Sequence, residues 1–360
     1  MSVTNKSPLL NFLAGTALPE NFGPGEWSLM FSEARRTGLL GRVSSSLETI
    51  EATVPVRLRS HISSSMVEVA AFQRDVLKEL DHIERALAGL GTPVLLLKGA
   101  CYVRLGLKAA KGRIFSDVDI LVSKNMVGHA EAALMLGGWQ TGDIDPYDQR
   151  YYREWSHEVP PMTNRRRGTT IDLHHALAMP TCRISIDSDK MVKDAVPIDP
   201  SGFWWRLSDE DMLLHAASHL MLNSEFDRGL RDLWDIDLLF REFTGISATF
   251  SCSLIERAAD VGLEKIVKQA LFLARRFFGT PVPDWVIHKQ GGLFLHFLGR
   301  AASTRHLDTK PRWQWIADVL LSYREMYMRL PNRLLAVHLA HKAFELFSSS
   351  SGKKPIEQMR

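Results

Sequence analysis

Two short, unbroken apolar runs in the middle of the chain limit the folds that are open to it. The first, PVLLL at residues 93–97, follows a Gly-Thr break, and the second, DVDILV, occupies residues 117–122. An apolar run without polar alternation is typical of a strand that is buried on both faces, and such a strand needs further layers to cover it. The sequence therefore predicts a small mixed sheet enclosed by helices.

Helical patterns flank this central region on both sides. Between residues 56 and 90, apolar side chains recur at spacings of three and four, and Gly89 and Gly91 end the predicted helix. After the central region, Ser208 and Asp211 form a capping-box pattern in front of another apolar helix face. The predicted fold class is α+β, with a helical N-terminal region (1–91), an α/β core (92–205) and a helical C-terminal domain (206–360).

Composition fits this organisation and narrows the functional classes. A chain of 360 residues with 45% hydrophobic content can bury a full core. Its formal net charge of +3 is too small to indicate nucleic-acid binding by itself. The three cysteines are far apart, which predicts reduced thiols and a cytoplasmic protein. We expect no membrane segment, because no apolar stretch reaches the roughly 20 residues that span a bilayer.

Within the α/β core, the order of patterns predicts alternating helices and strands. GACYVRLGL (99–107) is typical of a short helix, and SKNMVGHAEAALMLGGW (123–139) of a longer one. YYREWSHEVPPM (151–162) and TTIDLHHAL (169–177) flank the polar connector TNRRRG (163–168). We therefore expect these two segments to pair as a hairpin, with the three arginines either solvated or in contact with a phosphate.

Pairs of aspartates at Asp-x-Asp spacing occur five times, so the spacing alone does not identify a metal site. On a helix, residues two apart point to nearly opposite sides, which predicts cap or salt-bridge roles for the last two pairs. The two middle pairs lie in polar, loop-like surroundings, where aspartates commonly stabilise turns. In chain order the pairs are Asp117/Asp119, Asp143/Asp145, Asp187/Asp189, Asp209/Asp211 and Asp235/Asp237.

The first pair differs because the strand-forming residues ILV follow it. On a strand, Asp117 and Asp119 would point to the same face about 6–7 Å apart, so that they could bind one cation or two cations roughly 4 Å apart. Unpaired buried carboxylates are strongly disfavoured, so a positive charge must lie opposite them. The alternative to a metal site is a strand-edge pair neutralised by Arg113 or Lys98.

A Lys-Gly-Ala sequence lies where the first buried strand should turn into a helix. Gly99 would allow a phosphate to approach the backbone, and the free N–H groups of Gly99 and Ala100 at the helix N-terminus would bind it. Lys98 adds a point charge that suits a phosphate. Beside the aspartates, this turn predicts a phosphate site.

A third carboxylate follows in IDLHHAL, residues 171–177. Ile171 and Leu173 predict a strand that places Asp172 on the opposite face, together with His174 two residues later. Asp172 could complete a two-metal site or act as the base for an incoming hydroxyl, and His174 could contact substrate or support the site. A strand-edge or turn aspartate is the alternative.

These elements, in this order, resemble the nucleotidyltransferase superfamily with its polymerase-beta-like palm. Within it, the chain is similar to a bacterial family of uncharacterised nucleotidyltransferases. The matching segments are LLLKGA (95–100), GRIFSDVDILV (112–122), IDLHHAL (171–177), LSDEDMLLHAASHL (207–220) and LRDLWDIDLLF (230–240).

The resemblance implies transfer of a nucleoside monophosphate from an NTP to an acceptor, with release of pyrophosphate. It implies Mg²⁺, or alternatively Mn²⁺, held by Asp117, Asp119 and Asp172. The acceptor class stays open among a small molecule, a protein and an RNA end. Residues that the resemblance and the pattern together place at the nucleotide are Lys98, Gly99, Ala100, Arg113, Ser116, His174 and His219.

One departure and three alternatives accompany this assignment. The superfamily usually has Gly-Ser or Gly-Gly where this chain has Gly99-Ala100, so a hydroxyl contact to phosphate is missing. His215 and His219 have the i, i+4 spacing of zinc ligands, but core or hydrogen-bonded histidines are the favoured interpretation. A catalytically degenerate palm that binds nucleotide or acts as a scaffold is the second functional hypothesis. A sugar transferase that uses Asp-x-Asp for Mn²⁺ ranks last, because the 90 residues before the pair have helical patterns.

Overall fold

The computed structural model describes residues 7–200, 202–222 and 228–336. The N-terminal part is helical, and the long helix predicted between residues 56 and 90 is confirmed. Gly91, which has a φ of +62°, follows it and lets the chain turn into the first strand. The helices are α1 (Pro8–Leu13), α2 (Pro24–Arg36), α3 (Leu40–Leu47) and α4 (Val56–Leu87).

One mixed sheet of seven strands forms the centre of the fold, in the order β3-β4-β5-β2-β1-β7-β6. Strand β2 lies between β1 and β5 in the middle of the sheet. It is antiparallel to β1 and parallel to β5. The strands are β1 (Val94–Leu96), β2 (Asp117–Leu121), β3 (Trp139–Thr141), β4 (Met162–Asn164), β5 (Thr170–His174), β6 (Val196–Pro197) and β7 (Trp204–Arg206).

The buried-strand interpretation of the apolar runs is confirmed. All three residues of β1 are buried, and in β2 the residues after the first are buried as well. Helices α5 (Lys98–Leu105) and α6 (Val127–Leu136) follow these two strands, as their patterns predicted. The sheet amid helices confirms the α+β fold class.

The segment 151–162 differs from its prediction. Helix α7 (Pro146–Glu154) covers its first part, because Asp145 caps the helix by accepting from two backbone N–H groups and Pro146 occupies the first turn. Of the segment 151–162, only the last residue, Met162, belongs to a strand, β4. The predicted hairpin around the tri-arginine connector is confirmed, because β4 pairs with β5 in antiparallel fashion. Arg167 of that connector binds Glu79 of α4, with Nε and Oε2 2.6 Å apart.

After the short helix α8 (Ser188–Lys193) and the last two strands, the chain is helical. The predicted cap at Ser208 is confirmed, since its Oγ accepts from the backbone N–H of Asp211 at 3.1 Å. None of the helices that the structure describes is long and apolar enough to cross a membrane. The helices are α9 (Asp209–Leu222), α10 (Gly229–Ile246), α11 (Phe250–Asp260), α12 (Glu264–Phe278), α13 (Asp284–Ile287), α14 (Leu293–Ala301) and α15 (Gln314–Arg329).

Candidate active site

The register of β2 and β5 brings three aspartates to one region of the sheet. Asp119 lies directly opposite Asp172, and Asp117 lies opposite Thr170. Because alternate residues of a strand share a face, Asp117 and Asp119 point to the same side. The acidic pair and the third carboxylate, predicted separately from the sequence, are therefore neighbours on two adjacent parallel strands.

Lys98 approaches these carboxylates from the turn between β1 and α5. Its backbone has a φ of +44°, an unusual conformation for a residue with a side chain. Its Nζ lies 2.6 Å from Oδ1 of Asp119. Burial by itself would lower the pKa of Lys98, but Asp119, Glu158 and Asp117 raise that pKa above its ordinary value. Lys98 is therefore a permanent positive charge at this face.

Asp119 is the most enclosed of the three aspartates, with 4% of its surface exposed. His174 also contacts its Oδ1, with Nε2 at 3.1 Å. Since a carboxylate only accepts hydrogen bonds, Nε2 carries the hydrogen and donates. Burial would raise the pKa of Asp119, yet Lys98 and His174 outweigh it and hold that pKa well below its usual range. Both contacts use Oδ1, which leaves Oδ2 for a cation.

Asp172 has the opposite electrostatic environment. Burial, followed by the negative charges of Asp119, Asp117 and Glu158, raises the pKa of its carboxyl group to about 8. Two carboxylates close together cannot both ionise easily unless a cation compensates them. The donor set consists of carboxylate oxygens, which Mg²⁺ prefers, so these residues fit a divalent ion of that kind.

The carboxylate oxygens of Asp117, Asp119 and Asp172 do not all lie within 4.8 Å of one another. Among the described residues, the group of three possible ligands whose donor atoms all lie within 4.8 Å of one another is His157, Glu158 and His174. The three aspartates do not form such a group in the absence of an ion.

Gly99 and Ala100, which the sequence predicts to meet a phosphate, lie in a closely packed turn. A Cβ atom on Gly99 would lie 1.9 Å from Nη1 of Arg113 and 2.6 Å from Cδ1 of Phe115. Ala100 is 1% exposed. A glycine is therefore needed here because a neighbouring arginine and an aromatic ring pack against its backbone.

Arg113, predicted as a nucleotide contact, belongs to a buried ion pair. Its Nε donates to Oδ2 of Asp235 at 3.0 Å, and Arg42 binds the other oxygen of the same carboxylate. Only 5% of Arg113 is exposed. The salt-bridge role predicted for the Asp235/Asp237 pair is observed at Asp235, and this ion pair connects the N-terminal helices, the loop before β2 and α10.

A cavity of about 100 Å³ lies in front of Asp117 and Asp119, whereas Asp172 is not among its lining residues. Small-molecule pockets usually measure about 300–1,000 Å³, so this cavity could hold only part of a nucleotide. A neighbouring cavity of about 430 Å³ shares part of its wall with it. The first cavity is lined by residues that include Lys98, Ser116, Asp117, Asp119, His219 and Arg231.

Three arginines that the sequence analysis did not single out reach these cavities. Arg35 lines the larger one, whereas Arg228 and Arg231 line both. The pattern RGLRD at the start of α10 contains two of them, but only the fold shows which way this end of the helix faces. Positive side chains beside an acidic face are an arrangement that suits a phosphate chain with bound cations.

His215 and His219 lie in the walls of a third, smaller cavity, together with His157 and His174. Burial lowers the pKa of His215 to about 3 and the pKa of His219 well below its ordinary value. These two rings are therefore neutral at physiological pH, which fits a core histidine and a zinc ligand alike, so the favoured interpretation stays a prediction.

Comparison with known proteins identifies the family. The model of a family described as an uncharacterised nucleotidyltransferase matches residues 23–279. Because this match covers more than half of the chain, the chain belongs to that family, and the nucleotidyltransferase fold predicted from the sequence is confirmed. Neither the curated proteins nor the solved structures gave a match to the chain.

Proposed function

We propose that this family member transfers a nucleoside monophosphate from an NTP to an acceptor hydroxyl or phosphate, with release of pyrophosphate. The observation that supports this reaction is the meeting of Asp117, Asp119 and Asp172 on two adjacent strands beside Lys98. Phosphoryl-type transfer asks the protein mainly for positioning and neutralisation of charge. An acidic face bordered by basic side chains supplies both.

The three aspartates are the residues that would hold Mg²⁺, or Mn²⁺ in its place. When bound, the cation neutralises the charge of the phosphate oxygens and favours departure of pyrophosphate. The raised pKa of Asp172 supports this assignment, because the carboxyl group needs additional positive charge in order to ionise. Once ionised, Asp172 can accept the proton of the attacking acceptor hydroxyl.

The neighbouring side chains position the reacting groups. Lys98 would contact a phosphate oxygen, and His174 would hold Asp119 in one orientation through the contact of its Nε2. Ser116 and His219 line the cavity in front of the aspartates, where they would contact the nucleotide. Gly99, Ala100 and Arg113 would support the turn that presents Lys98, while the acceptor remains a small molecule, a protein or an RNA end.

The decisive experiment measures pyrophosphate release and transfer of label from each of the four NTPs with Mg²⁺. The acceptors are pools of metabolites, tRNA and the protein itself. We expect Asp117→Asn and Asp172→Asn to lose at least about 100-fold in rate, as is common when one electrostatic group is removed. Asp143→Asn is the matched control, because Asp143 is exposed and belongs to another Asp-x-Asp pair. Equal turnover in all four proteins would refute the assignment.

One observation favours a second candidate, a nucleotide-binding or scaffolding module without turnover. Lys98 already provides Asp119 with a positive partner at 2.6 Å, so this carboxylate is compensated without a metal ion. Calorimetry separates the two functions. Tight NTP binding in EDTA, combined with no product from any acceptor pool, would favour the module, whereas binding that requires Mg²⁺ would favour the enzyme.

A further inference from the structure

A second group of possible metal ligands lies at the end of β5, next to the three aspartates but composed differently. Nδ1 of His174 is 3.5 Å from Oε2 of Glu158, and Nε2 of His157 is 3.8 Å from the same oxygen. The three side chains have donor atoms within 4.8 Å of one another. Two imidazoles and one carboxylate thus converge on a small volume.

The hydrogen bonding of His174 leaves one nitrogen without a partner. Because Nε2 contacts Asp119, Nδ1 is the ring nitrogen that is available to a further ligand. This atom has no hydrogen-bond partner among the residues that the structure describes, and His174 is only 2% exposed. The carboxylate of Glu158, which is also a possible metal ligand, lies 3.5 Å from this nitrogen. A cation between these two atoms would bind the buried ring nitrogen and the half-buried carboxylate together.

The backbone holds these residues in place before any ligand arrives. Glu158 forms an isolated antiparallel bridge with His174. On one side of the bridge, the N–H of Val159 donates to the carbonyl of Leu173 at 3.0 Å, and on the other the carbonyl of His157 accepts from His175 at 2.9 Å. A metal site needs ligands on such rigid elements, because loosely held side chains must be ordered when the ion binds.

We propose that His157, Glu158 and His174 form a binding site for a divalent transition-metal cation of the Zn²⁺ type, separate from the carboxylate face. Imidazole nitrogen suits first-row transition metals, whereas Mg²⁺ prefers oxygen ligands. Zinc bonds of about 2.0–2.2 Å place tetrahedral ligands roughly 3.4 Å apart. The observed separations of 3.5 and 3.8 Å require only small side-chain movements.

The surroundings of His174 match those of a metal-bound histidine. Such a ring usually donates its second N–H to a carboxylate, which fixes its orientation, and Asp119 accepts this bond here. Access is open from the Glu158 side, where 25% of the side chain is exposed. The positive charges nearby are compensated, since Lys98 is paired with Asp119 and Arg329 with Glu325 at 2.8 Å.

The site would connect a transition metal to the carboxylate face through a single side chain. A cation on Nδ1 of His174 would hold the ring fixed while Nε2 positions Asp119. The protein supplies three ligands, so a fourth position stays open to water or to an exchanging ligand, as in exchangeable zinc sites. This binding does not depend on the nucleotidyltransferase reaction.

The test is a titration of the full-length, EDTA-treated and dialysed protein with ZnCl₂ in excess Mg²⁺, followed by calorimetry. Substitution with Co²⁺ reports tetrahedral coordination by its visible absorption. We expect one ion per chain in the wild type and at least about 10-fold weaker binding in His157→Ala and Glu158→Gln. The control His129→Ala removes an exposed histidine of α6 and should bind as the wild type does.

Two further measurements make the result decisive. Asp117→Asn should lose nucleotide turnover but keep the Zn²⁺ stoichiometry, which separates this site from the proposed function. Glu158→Gln preserves the size of the side chain, so it remains informative if His157→Ala fails to fold by circular dichroism. The proposal is overturned if the wild type binds no stoichiometric Zn²⁺, or if folded Glu158→Gln binds it with wild-type affinity.

Discussion

The carboxyl group of Asp172 should make the stability of the metal-free protein depend on pH in a direction opposite to that of most acidic groups. Burial and the anionic groups of Asp119, Asp117 and Glu158 raise its pKa to about 8. In the unfolded chain the pKa returns to about 3.9. Between these values the folded protein holds a proton that the unfolded chain has lost, so the free energy of unfolding falls as the pH rises through about 8.

The magnitude follows from linkage between proton binding and folding. A full proton difference changes the free energy of unfolding by about 1.4 kcal/mol per pH unit, and the difference disappears once the folded carboxyl ionises. Between pH 7 and pH 8.5, ionisation of Asp172 should therefore lower the free energy of unfolding by about 1 kcal/mol. This window lies above the ordinary histidine pKa of about 6.5. The lowered pKa values of the buried histidines reduce stability only at lower pH, so these residues do not contribute to the change in the free energy of unfolding.

The assay is urea unfolding in EDTA at both ends of this window. The side chain of Asp172→Asn cannot ionise. From pH 7 to pH 8.5 the free energy of unfolding of this variant should therefore fall by about 1 kcal/mol less than that of the wild type. Asp143→Asn changes an exposed aspartate. Its free energy of unfolding should therefore fall between the two pH values by the same amount as that of the wild type. If the wild type and Asp172→Asn respond equally to pH, the electrostatic account of the carboxylate face is wrong.

Three other changes test the framework around the site. Asp235→Asn leaves the buried guanidinium groups of Arg42 and Arg113 without their anion, and should destabilise the fold by about 3–5 kcal/mol in chemical unfolding. Gly99→Ala places a methyl group against Arg113 and Phe115, and should cost about 1–3 kcal/mol, visible as a lower thermal midpoint. Mg²⁺ at 100 times its dissociation constant should stabilise the wild type by about 2.7 kcal/mol, measured as a rise in the same midpoint.

The elements that the sequence predicted are those whose burial leaves a clear pattern. β1 and β2 are enclosed on both sides, so their residues are almost uniformly apolar, and α4 is long enough for its period to be unmistakable. β6 and β7 have only two and three residues, too few to show any alternation. Helix α7 was missed because its tyrosines favour strands, whereas the local cap at Asp145 decided the structure.

Within the site, the sequence identified groups that belong to strands and missed those that tertiary packing brings in. Asp119, Asp172 and Lys98 were found because strand alternation and the strand-to-helix turn fix their directions. Glu158 follows an irregular stretch after α7, where no periodicity indicates its direction. Its position depends on the bridge to His174, which pairs residues distant in the chain.

The packing of the Gly99-Ala100 turn gives a structural reason for the alanine at position 100. Sequence comparison treats Ala100 as a lost hydroxyl contact, but Ala100 is 1% exposed and belongs to the hydrophobic core. A serine hydroxyl at such a position would need a partner within the core, at a cost of about 1–3 kcal/mol if it found none. The substitution therefore fits the packing around α5. The proposed function depends instead on Lys98, whose ammonium group has three N–H donors and would have to contact a phosphate of the incoming nucleotide alongside Asp119.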